Sequence, residues 1–241
     1  MAKGLAIIES FGQTHEYLTV SDAAQYADIS RASARRCLLT LADLGYLTKS
    51  GSQFRPTPRM LRLGAAYYEA SSLPQLAQTH LENARNELQE SIALAVFEDG
   101  YSVFNARCET ERIVTSIAKI GQRLPAFASA TGRILLAGFS DDELKAYLES
   151  ADLTALTKST ITDKKKLFTR ISETRSQQLE ISAEELEEGL ISMAVPVCNP
   201  SGETIAAMSM SASSARISME KMKHDYYPIV KKHADALSRT L

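Results

Sequence analysis

The sequence has few of the residues that build disulfide frameworks or metal sites. Its three cysteines, Cys37, Cys108 and Cys198, are an odd number at wide spacing. This pattern argues against a disulfide framework and indicates a reducing compartment. The four histidines are scattered along the chain, whereas zinc ligands recur at short spacings. We therefore expect no metal and no cofactor.

The sequence also lacks any hydrophobic run long enough to span a membrane, and no signal-peptide pattern opens it. It contains no glycine-rich phosphate loop and no nucleophile elbow, so we assign no catalytic residue. The 241 residues are 44% hydrophobic and 23% charged, which is typical of a globular protein of two ordinary domains. We expect a cytoplasmic protein with no membrane partner.

What the sequence does contain is a block of positive charge. Residues 31 to 62 include seven lysines and arginines against one acid, Asp43. Between residues 65 and 241 the balance reverses, with 19 basic and 24 acidic residues. A local basic block on an otherwise mildly acidic chain is typical of a DNA-binding module.

The basic block opens with a helix that has one apolar and one basic face. At about 100° per residue, the apolar face comprises Ala34, Cys37, Leu38, Leu41 and Leu44. Ser30 is a good N-cap, so the arginines occupy the first two turns. The residues of this helix that we expect at DNA are Ser30, Arg31, Ala32, Ser33, Arg35, Arg36 and Thr40.

The flanking segments complete a winged helix-turn-helix. Thr19 can cap a short helix that begins near Val20. After the basic helix, two strands near residues 46–49 and 53–56 are joined by a Ser-Gly-Ser turn. Lys49 and Arg55 flank this wing, and together with Thr19 they complete the predicted DNA contacts. We expect Arg36 to read a base, and the other basic residues of the helix and wing to meet phosphates.

Two alternatives remain open for this module. Arginines on a helix are often only a solvated face, and a winged helix can serve protein interaction without touching DNA. The charge asymmetry favours DNA binding over both.

The remaining chain is predicted to form a linker and a second domain. Thr57 and Pro58 cap a helix to about residue 71, with Leu61, Leu63 and Gly64 packing against neighbours. A break at residues 73–74 precedes a second helix. We thus divide the chain into a winged helix-turn-helix (1–57), a linker helix (58–73) and an effector-binding domain (74–241).

Alternating and apolar runs predict an antiparallel sheet in the second domain. The expected strands span residues 92–97, 101–108, 114–117, 190–197 and 204–213. The expected helices span residues 129–138, 141–149, 163–177 and 218–241. A central antiparallel sheet flanked by helices makes this an α+β domain.

Several sequence blocks in colinear order resemble the IclR family of bacterial transcription regulators. They are GLAIIESFG, SARRCLLTLADLGYL, PTPRMLRLG, LPAFASATGRILLAG and EEGLISMAVPVCNPSGETIAAMSMSAS. The resemblance implies a GAF-like effector domain. The blocks ARRCLLTL, TPR and GRILLA are similar to the subgroup that controls aromatic-acid breakdown, whose members respond to protocatechuate, 4-hydroxybenzoate or β-ketoadipate.

Candidate effector contacts follow from the residues of the second domain. The predicted helix start at Ser129, Ala130, Thr131 and Gly132 presents free N–H groups that suit a carboxylate, although Ser129 can simply cap the helix. Arg107 can pair bidentately with a carboxylate or form a surface salt bridge, and alternation places Asn105 on the same strand face.

The last two strands offer further candidates. Met208 and Met210 face one side of their strand and Ser209 and Ser211 the other, and one of these faces should cover the pocket. Met193 lies on the neighbouring strand. Methionines more often fill core space, and Cys198 is expected to be a small hydrophobe rather than a reactive thiol.

We therefore predict a ligand-responsive DNA-binding regulator rather than an enzyme. Its expected partners are double-stranded operator DNA, a small organic-acid effector and further copies of itself, as a homodimer or a dimer of dimers. The alternative is a winged helix fused to a small-molecule enzyme domain that uses Cys108 or Cys198 with a histidine as base.

Overall fold

The computed structural model describes residues 1–12, 15–110 and 119–241. The chain divides into two compact units, Met1–Ser71 and Ser72–Leu241, and each is described by itself. No helix in the described ranges is both long enough and apolar enough to cross a membrane.

The first unit is a winged helix-turn-helix. Its elements are α1 (Ala2–Glu9), α2 (Val20–Tyr26), α3 (Arg31–Asp43), β1 (Leu47–Ser50), β2 (Gln53–Pro56), a 3-10 turn (Pro58–Met60) and α4 (Leu61–Ala70). Strands β1 and β2 pair antiparallel. The side chains that close the core are Ile7, Leu18, Ala23, Ala24, Ala34, Leu38, Leu47 and Phe54. The predicted helices and wing are therefore confirmed.

The predicted apolar face of α3 holds except at its end. Ala34 and Leu38 are buried, but Leu44 is 52% exposed. Helix α3 ends at Asp43, and Gly45 turns the chain with a φ of +78°. Only glycine adopts that conformation without strain, so the chain turns away directly after Leu44, which is the C-cap residue of the helix.

The linker differs from prediction in two ways. All ten residues of α4 are exposed, and Leu61 is 74% exposed, so the predicted packing of Leu61, Leu63 and Gly64 is absent within the described chain. The break also comes earlier, since α5 (Ser72–Leu88) already begins at Ser72. Pro74 lies in the first turn of α5, where a missing N–H costs no helical hydrogen bond.

The second unit is built on a six-stranded antiparallel sheet. Its order is β5-β4-β3-β8-β7-β6. In chain order the strands are β3 (Ile92–Glu98), β4 (Tyr101–Cys108), β5 (Arg123–Pro125), β6 (Glu180–Ala183), β7 (Leu190–Cys198) and β8 (Thr204–Ser213). The four longer strands are confirmed predictions. The sequence reading missed β5 and β6, which are short, and the predicted strand at residues 114–117 lies outside the described residues.

Helices cover both faces of this sheet. The elements are α6 (Ala130–Ala137), α7 (Asp141–Ser150), α8 (Lys164–Gln177), α9 (Met219–Lys221) and α10 (Tyr227–Ser238), with a 3-10 turn at Ala126–Ala128. One face packs with α5 and α10 around a core that includes Met193, Met208 and Met210. The other face carries Ala194 and Ala207 against α6.

The last predicted helix is interrupted. A π-helical turn, Met222–Tyr226, separates α9 from α10. Pro228 lies in the first turn of α10. A proline has no N–H and crowds the preceding turn, and a π-type turn widens the helix at that point.

Gly132 lies where α6 closely approaches the backbone of Ala126. A Cβ added there would come within 2.6 Å of the carbonyl carbon of Ala126, and closer still to its Cα and oxygen. Because these are backbone atoms, they cannot move aside cheaply. We expect Gly132→Ala to lower the free energy of unfolding by about 3 kcal/mol or more, measured by urea denaturation.

Gly4→Ala is the matched control, because Gly4 also lies inside a helix and an added Cβ would have no neighbour within 4 Å. There the change should be neutral or slightly stabilising. Equal effects of the two substitutions would contradict the close approach of α6 to Ala126.

Candidate DNA-binding surface and effector cavity

Helix α2 is positioned by a capping box. The Thr19 hydroxyl accepts from the Asp22 backbone N–H at 3.3 Å, and the Thr19 backbone N–H donates to Asp22 Oδ2 at 2.8 Å. The hydrogen bonds from the Thr19 backbone and then from its hydroxyl lower the pKa of Asp22. Thr19, a predicted DNA contact, is thus engaged in fixing the start of α2.

Helix α3 presents its basic residues outward. Arg31, Ala32, Arg35, Arg36 and Thr40 are all exposed. Ser30 caps the helix by accepting from the Ser33 backbone N–H at 3.3 Å. This cap fixes where the first turn begins, so the arginines stand in the first two turns, the part of a recognition helix that meets DNA.

Two residues of α3 that we predicted to contact DNA form hydrogen bonds within the first unit. Ser33 is buried, and its hydroxyl accepts from the Ser30 hydroxyl at 3.1 Å. The Arg31 guanidinium donates to the Ser21 hydroxyl on α2. Ser33 therefore faces into the unit, and Arg31 ties the two helices of the motif together.

The wing adds charge next to α3. Lys49 and Arg55 are exposed on β1 and β2. The Arg55 guanidinium lies 5.5 Å from the centre of the Tyr17 ring, a cation–π distance. Arg31, Arg35 and Lys49 line one groove between α2, α3 and the wing. The structure thus brings these predicted contacts onto one continuous surface.

The charges on this surface are not neutralised internally. Among the residues that the structure describes, no carboxylate forms an ion pair with Arg31, Arg35, Arg36, Lys49 or Arg55. Unpaired guanidinium and ammonium groups on one surface attract a polyanion such as the phosphate backbone.

The second unit contains a small cavity beside the sheet. Its volume is about 40 Å³. It is lined by Ser91, Ala93, Phe104, Arg107, Leu124, Ser129, Ala130, Thr131, Leu186, Leu190, Ser192, Ser209, Met210 and Ser211. The lining combines apolar walls with six hydroxyls, and Arg107 is the one charged residue among the described lining residues.

The sheet register explains how the polar groups meet. Arg107 on β4 is paired with Ala93 on β3, and Ala93 is paired with Ser209 on β8. Ser192 on β7 is paired with Ser211 on β8. Partners across an antiparallel sheet share a face, so the serine face of β8 covers the cavity, while Met208 belongs to the opposite core.

A β-bulge in β4 interrupts the alternation of side chains that the sequence predicts for this strand. Ala95 pairs with Phe104 and Leu94 with Ala106, so Asn105 is an extra residue. The bulge lets Phe104 and Arg107 both reach the cavity although they are three residues apart. Asn105, predicted to share a face with Arg107, is buried but does not line the cavity.

The start of α6 forms one cavity wall. Ser129 accepts from the Gly132 backbone N–H at 3.1 Å, so the capping role is present, and its side chain also lines the cavity. The hydroxyls of Ser102 and Thr131 lie 2.8 Å apart. Gly132 itself does not line the cavity, because it packs against Ala126.

The structure shows where two further predicted site residues lie. Met193 is fully buried in the core on the opposite face of the sheet, so it does not line the cavity. Arg107 pairs with Glu109, with Nη1 at 3.3 Å from Glu109 Oε1, although its side chain is only 9% exposed, and it also lines the cavity. Ser91, Ser192 and Leu186 line the cavity without having been predicted, since nothing in their local patterns distinguishes them from ordinary strand and loop residues.

A buried ion cluster next to the cavity was also missed. Arg133 is fully buried, and its Nη1 lies 3.0 Å from Glu180 Oε1 and 2.8 Å from Glu185 Oε1. Burial lowers the pKa of Arg133, but the hydrogen bonds and charges of Glu185 and Glu180 outweigh it and raise the pKa. Arg170 binds Glu180 with Nε at 3.1 Å. Two charges of each sign make the cluster neutral.

The structure gives little support to thiol or metal chemistry. Burial raises the pKa of the Cys108 thiol, which keeps it protonated and poorly nucleophilic. Within the described part of the chain, no group of three or more His, Cys, Asp or Glu side chains could hold a metal ion.

Comparison with known proteins now identifies the family. Residues 65–239 match the family described as "Bacterial transcriptional regulator IclR C-terminal", and residues 1–51 match the "IclR helix-turn-helix domain". The chain belongs to the IclR family. It is a transcriptional regulator of two parts, a DNA-binding helix-turn-helix and an α+β domain with an antiparallel sheet.

Two relatives of this IclR protein are regulators named for the Pca regulon and for p-hydroxybenzoate hydroxylase. It is 37% identical over 231 residues to the Pca regulon regulatory protein of Pseudomonas putida, covering 95% of this chain and 79% of the relative. It is 33% identical over 242 residues to the p-hydroxybenzoate hydroxylase transcriptional activator of Acinetobacter baylyi, covering 98% and 89%. The resemblance to the aromatic-acid subgroup is thereby confirmed.

Solved structures agree with the IclR fold. A transcriptional regulator from Rhodococcus sp. RHA1 is 42% identical, with a TM-score of 0.86 over 99% of this chain and 96% of that one. A double mutant of the inducer-binding domain of PobR from Acinetobacter, solved in complex with 3-hydroxybenzoic acid, is 28% identical, with a TM-score of 0.68 over 71% of this chain and all of that domain.

Proposed function

We propose that this IclR protein is a cytoplasmic homodimer, or a dimer of dimers, that binds a palindromic operator and responds to an aromatic carboxylic acid. The observation that carries the proposal is a division of chemistry between the two units. The first unit displays unneutralised cations on α3 and the wing, and the second encloses hydroxyls and one guanidinium beside apolar walls. The parts are a DNA-binding domain (1–57), a linker (58–73) and an effector domain (74–241).

The DNA contacts divide by position. Arg36 is exposed in the middle of the basic face, where it can reach a base edge in the major groove. Arg31, Arg35, Lys49 and Arg55 contact phosphates. Ser30, Ala32 and Thr40 are exposed on the same helix and make further contacts to the DNA. Thr19 and Ser33 act by fixing the helix starts, because their hydroxyls are engaged within the unit.

Arg36 and Arg35 should differ in what they contribute. We expect Arg36→Ala to lower operator affinity by about 10- to 100-fold and non-operator affinity much less, since a base contact is worth about 1–3 kcal/mol. Arg35→Ala should weaken both and reduce the slope of log K against log salt by about one. Fluorescence anisotropy with a selected operator and a scrambled duplex measures both quantities.

The control is Lys221→Ala, which removes an exposed positive charge from the second unit and should change neither quantity. If Arg36→Ala weakens operator and scrambled DNA equally, Arg36 does not read a base. If neither arginine matters, α3 is not the DNA-reading helix.

The cavity chemistry suits a hydroxylated aromatic acid. A carboxylate can pair bidentately with Arg107, and the ring can pack against Phe104, Leu124 and Leu186. Ser209 and Ser211 then supply hydrogen bonds to ring hydroxyls. A double mutant of the PobR inducer-binding domain was solved with 3-hydroxybenzoic acid, which supports this ligand class for the present chain.

Ligand binding should raise the melting temperature of the full-length protein. At about a hundredfold excess over Kd, we expect a shift of about 5 °C or more with 3-hydroxybenzoate, 4-hydroxybenzoate or protocatechuate. Phenol and benzamide lack the carboxylate and should give little shift. Arg107→Gln should abolish the shift, whereas Ser209→Ala should reduce it more for the hydroxylated acids than for benzoate.

Benzoate has a carboxylate but no ring hydroxyl, so it separates the interaction with Arg107 from the interaction with Ser209. Shifts that survive in Arg107→Gln would place the carboxylate elsewhere. No shift with any of these acids would refute the aromatic-acid class while leaving DNA binding unaffected.

Helix α4 is proposed as a dimer contact. It has ten residues, all exposed, of which only Arg62 and Glu69 are charged. A ten-residue helix with no buried face is marginal in water, and an apolar surface of this kind indicates an interface. A second copy of the chain can cover it and would pair two α3 helices for a palindromic site.

Leu61→Glu on α4 should weaken this association. We expect the dissociation constant of the dimer to rise at least tenfold in analytical ultracentrifugation, because a charge would enter an apolar contact. Glu220→Leu, a change at an exposed position of the second unit, is the control. An unchanged constant for Leu61→Glu would remove α4 from the interface.

A further inference from the structure

The lining of the cavity is largely buried, because Phe104, Leu124 and Ser209 are each no more than 8% exposed. A volume of about 40 Å³ is open to the centre of a water molecule. An aromatic acid therefore has to pass one of the walls to enter, and the following inference, which rests on the proposed function, concerns which wall moves.

The wall formed by α6 cannot be the one that moves. All eight of its residues are buried. Gly132 is in close contact with the backbone of Ala126, and the Arg133 Nε donates to the Phe127 carbonyl at 2.8 Å. Helix α6 is thus packed against the turn that precedes it and against the sheet.

The opposite wall is the loop of residues 184–189 between β6 and β7. Leu186 from this loop lines the cavity, whereas Glu187, Glu188 and Gly189 are exposed. The loop is held mainly by polar bonds. Thr157 and Thr160 donate from their hydroxyls to the carbonyls of Glu184 and Glu185, each at 2.6 Å.

The strongest tie between the two walls is the ion pair of Arg133 with Glu185. Arg133 Nη1 donates to Glu185 Oε1 at 2.8 Å, and Nη2 donates to Glu185 Oε2. Such bidentate pairs are geometrically specific. Glu180 is held separately, by Arg170 and by the Thr174 hydroxyl as well as by Arg133. Release of Glu185 alone would therefore loosen the loop, which Thr157 and Thr160 still hold, while Glu180 keeps Arg133 in place.

We infer that Arg133 is a positioning residue of the effector site. Through Glu185 it holds Leu186 over the cavity, and the effector enters when the loop of residues 184–189 swings away from α6. The ion pair thus sets both how readily the cavity opens and how large a ligand it accepts. Arg133 itself does not touch the ligand.

Glu185→Gln tests this inference without a ligand. The substitution keeps the size of the side chain but removes its charge. In hydrogen–deuterium exchange of the full-length protein, amides in residues 184–190 should exchange about tenfold faster, while those of α5 and α10 should not change. Glu188→Gln removes an exposed carboxylate from the same loop and should leave exchange unchanged.

Ligand size provides a second measurement. We expect Glu185→Gln to shift the ratio of the dissociation constants of 4-hydroxybenzoate and the two-ring 6-hydroxy-2-naphthoate at least fivefold in favour of the larger acid. A residue with only a structural role would lower the melting temperature without changing this ratio. An unchanged ratio in a folded variant that binds 4-hydroxybenzoate would contradict the role in size selection.

Thr160→Val covers the case in which Glu185→Gln does not fold. It removes the hydroxyl bond to the Glu185 carbonyl, together with the bonds that this hydroxyl accepts from the Leu156 and Thr157 N–H groups, and leaves the buried charges balanced. It should also speed exchange in residues 184–190, and unchanged exchange would overturn the inference. Failure of the wild-type protein to bind any aromatic acid would instead refute the proposed function, and the exchange experiment would still decide the role of the loop.

Discussion

The buried guanidinium of Arg133 is the interaction on which the second unit depends. Removing a charge from water is costly, and burial is tolerated only when partners satisfy it. Four hydrogen bonds do so, to the Phe127 carbonyl, to Glu180 and twice to Glu185. These partners belong to the turn before α6, to β6 and to the following loop. One side chain therefore joins the helix, the sheet edge and the loop that together surround the cavity.

The first unit uses charge in the opposite way. Its cations stay exposed and without carboxylate partners among the described residues, so their field remains available to a polyanion. The short hydrogen-bonded caps at Thr19 and Ser30 fix where α2 and α3 begin. This regulator thus combines exposed cations without carboxylate partners in the described part of its first unit with a neutralised, buried ion cluster beside the cavity of its second unit.

Much of the fold was predictable because its signals are local. The cap at Ser30, the apolar spacing of Ala34 and Leu38, and the Asn-Pro-Ser-Gly turn between β7 and β8 each depend on a few adjacent residues. The site was less predictable. Arg107 and Ser209 were predicted from their chemistry and do line the cavity, but the bulge at Asn105 breaks the alternation that was used to orient β4. Strand β6 was missed because Glu180 is buried only through pairing with distant arginines.

The sequence by itself determined the helix-turn-helix and the long hairpins of the sheet. It also determined the contrast in charge between the two parts of the chain and the membership of the family. These follow from periodicity, composition and the order of short motifs. Only the tertiary structure decided which face of β8 meets the cavity, that Gly132 serves a close backbone approach, and that Arg133 is buried rather than solvated. The physical reason is that burial and ion pairing depend on partners about 50 residues apart, such as Arg133 and Glu185, which no local pattern brings together.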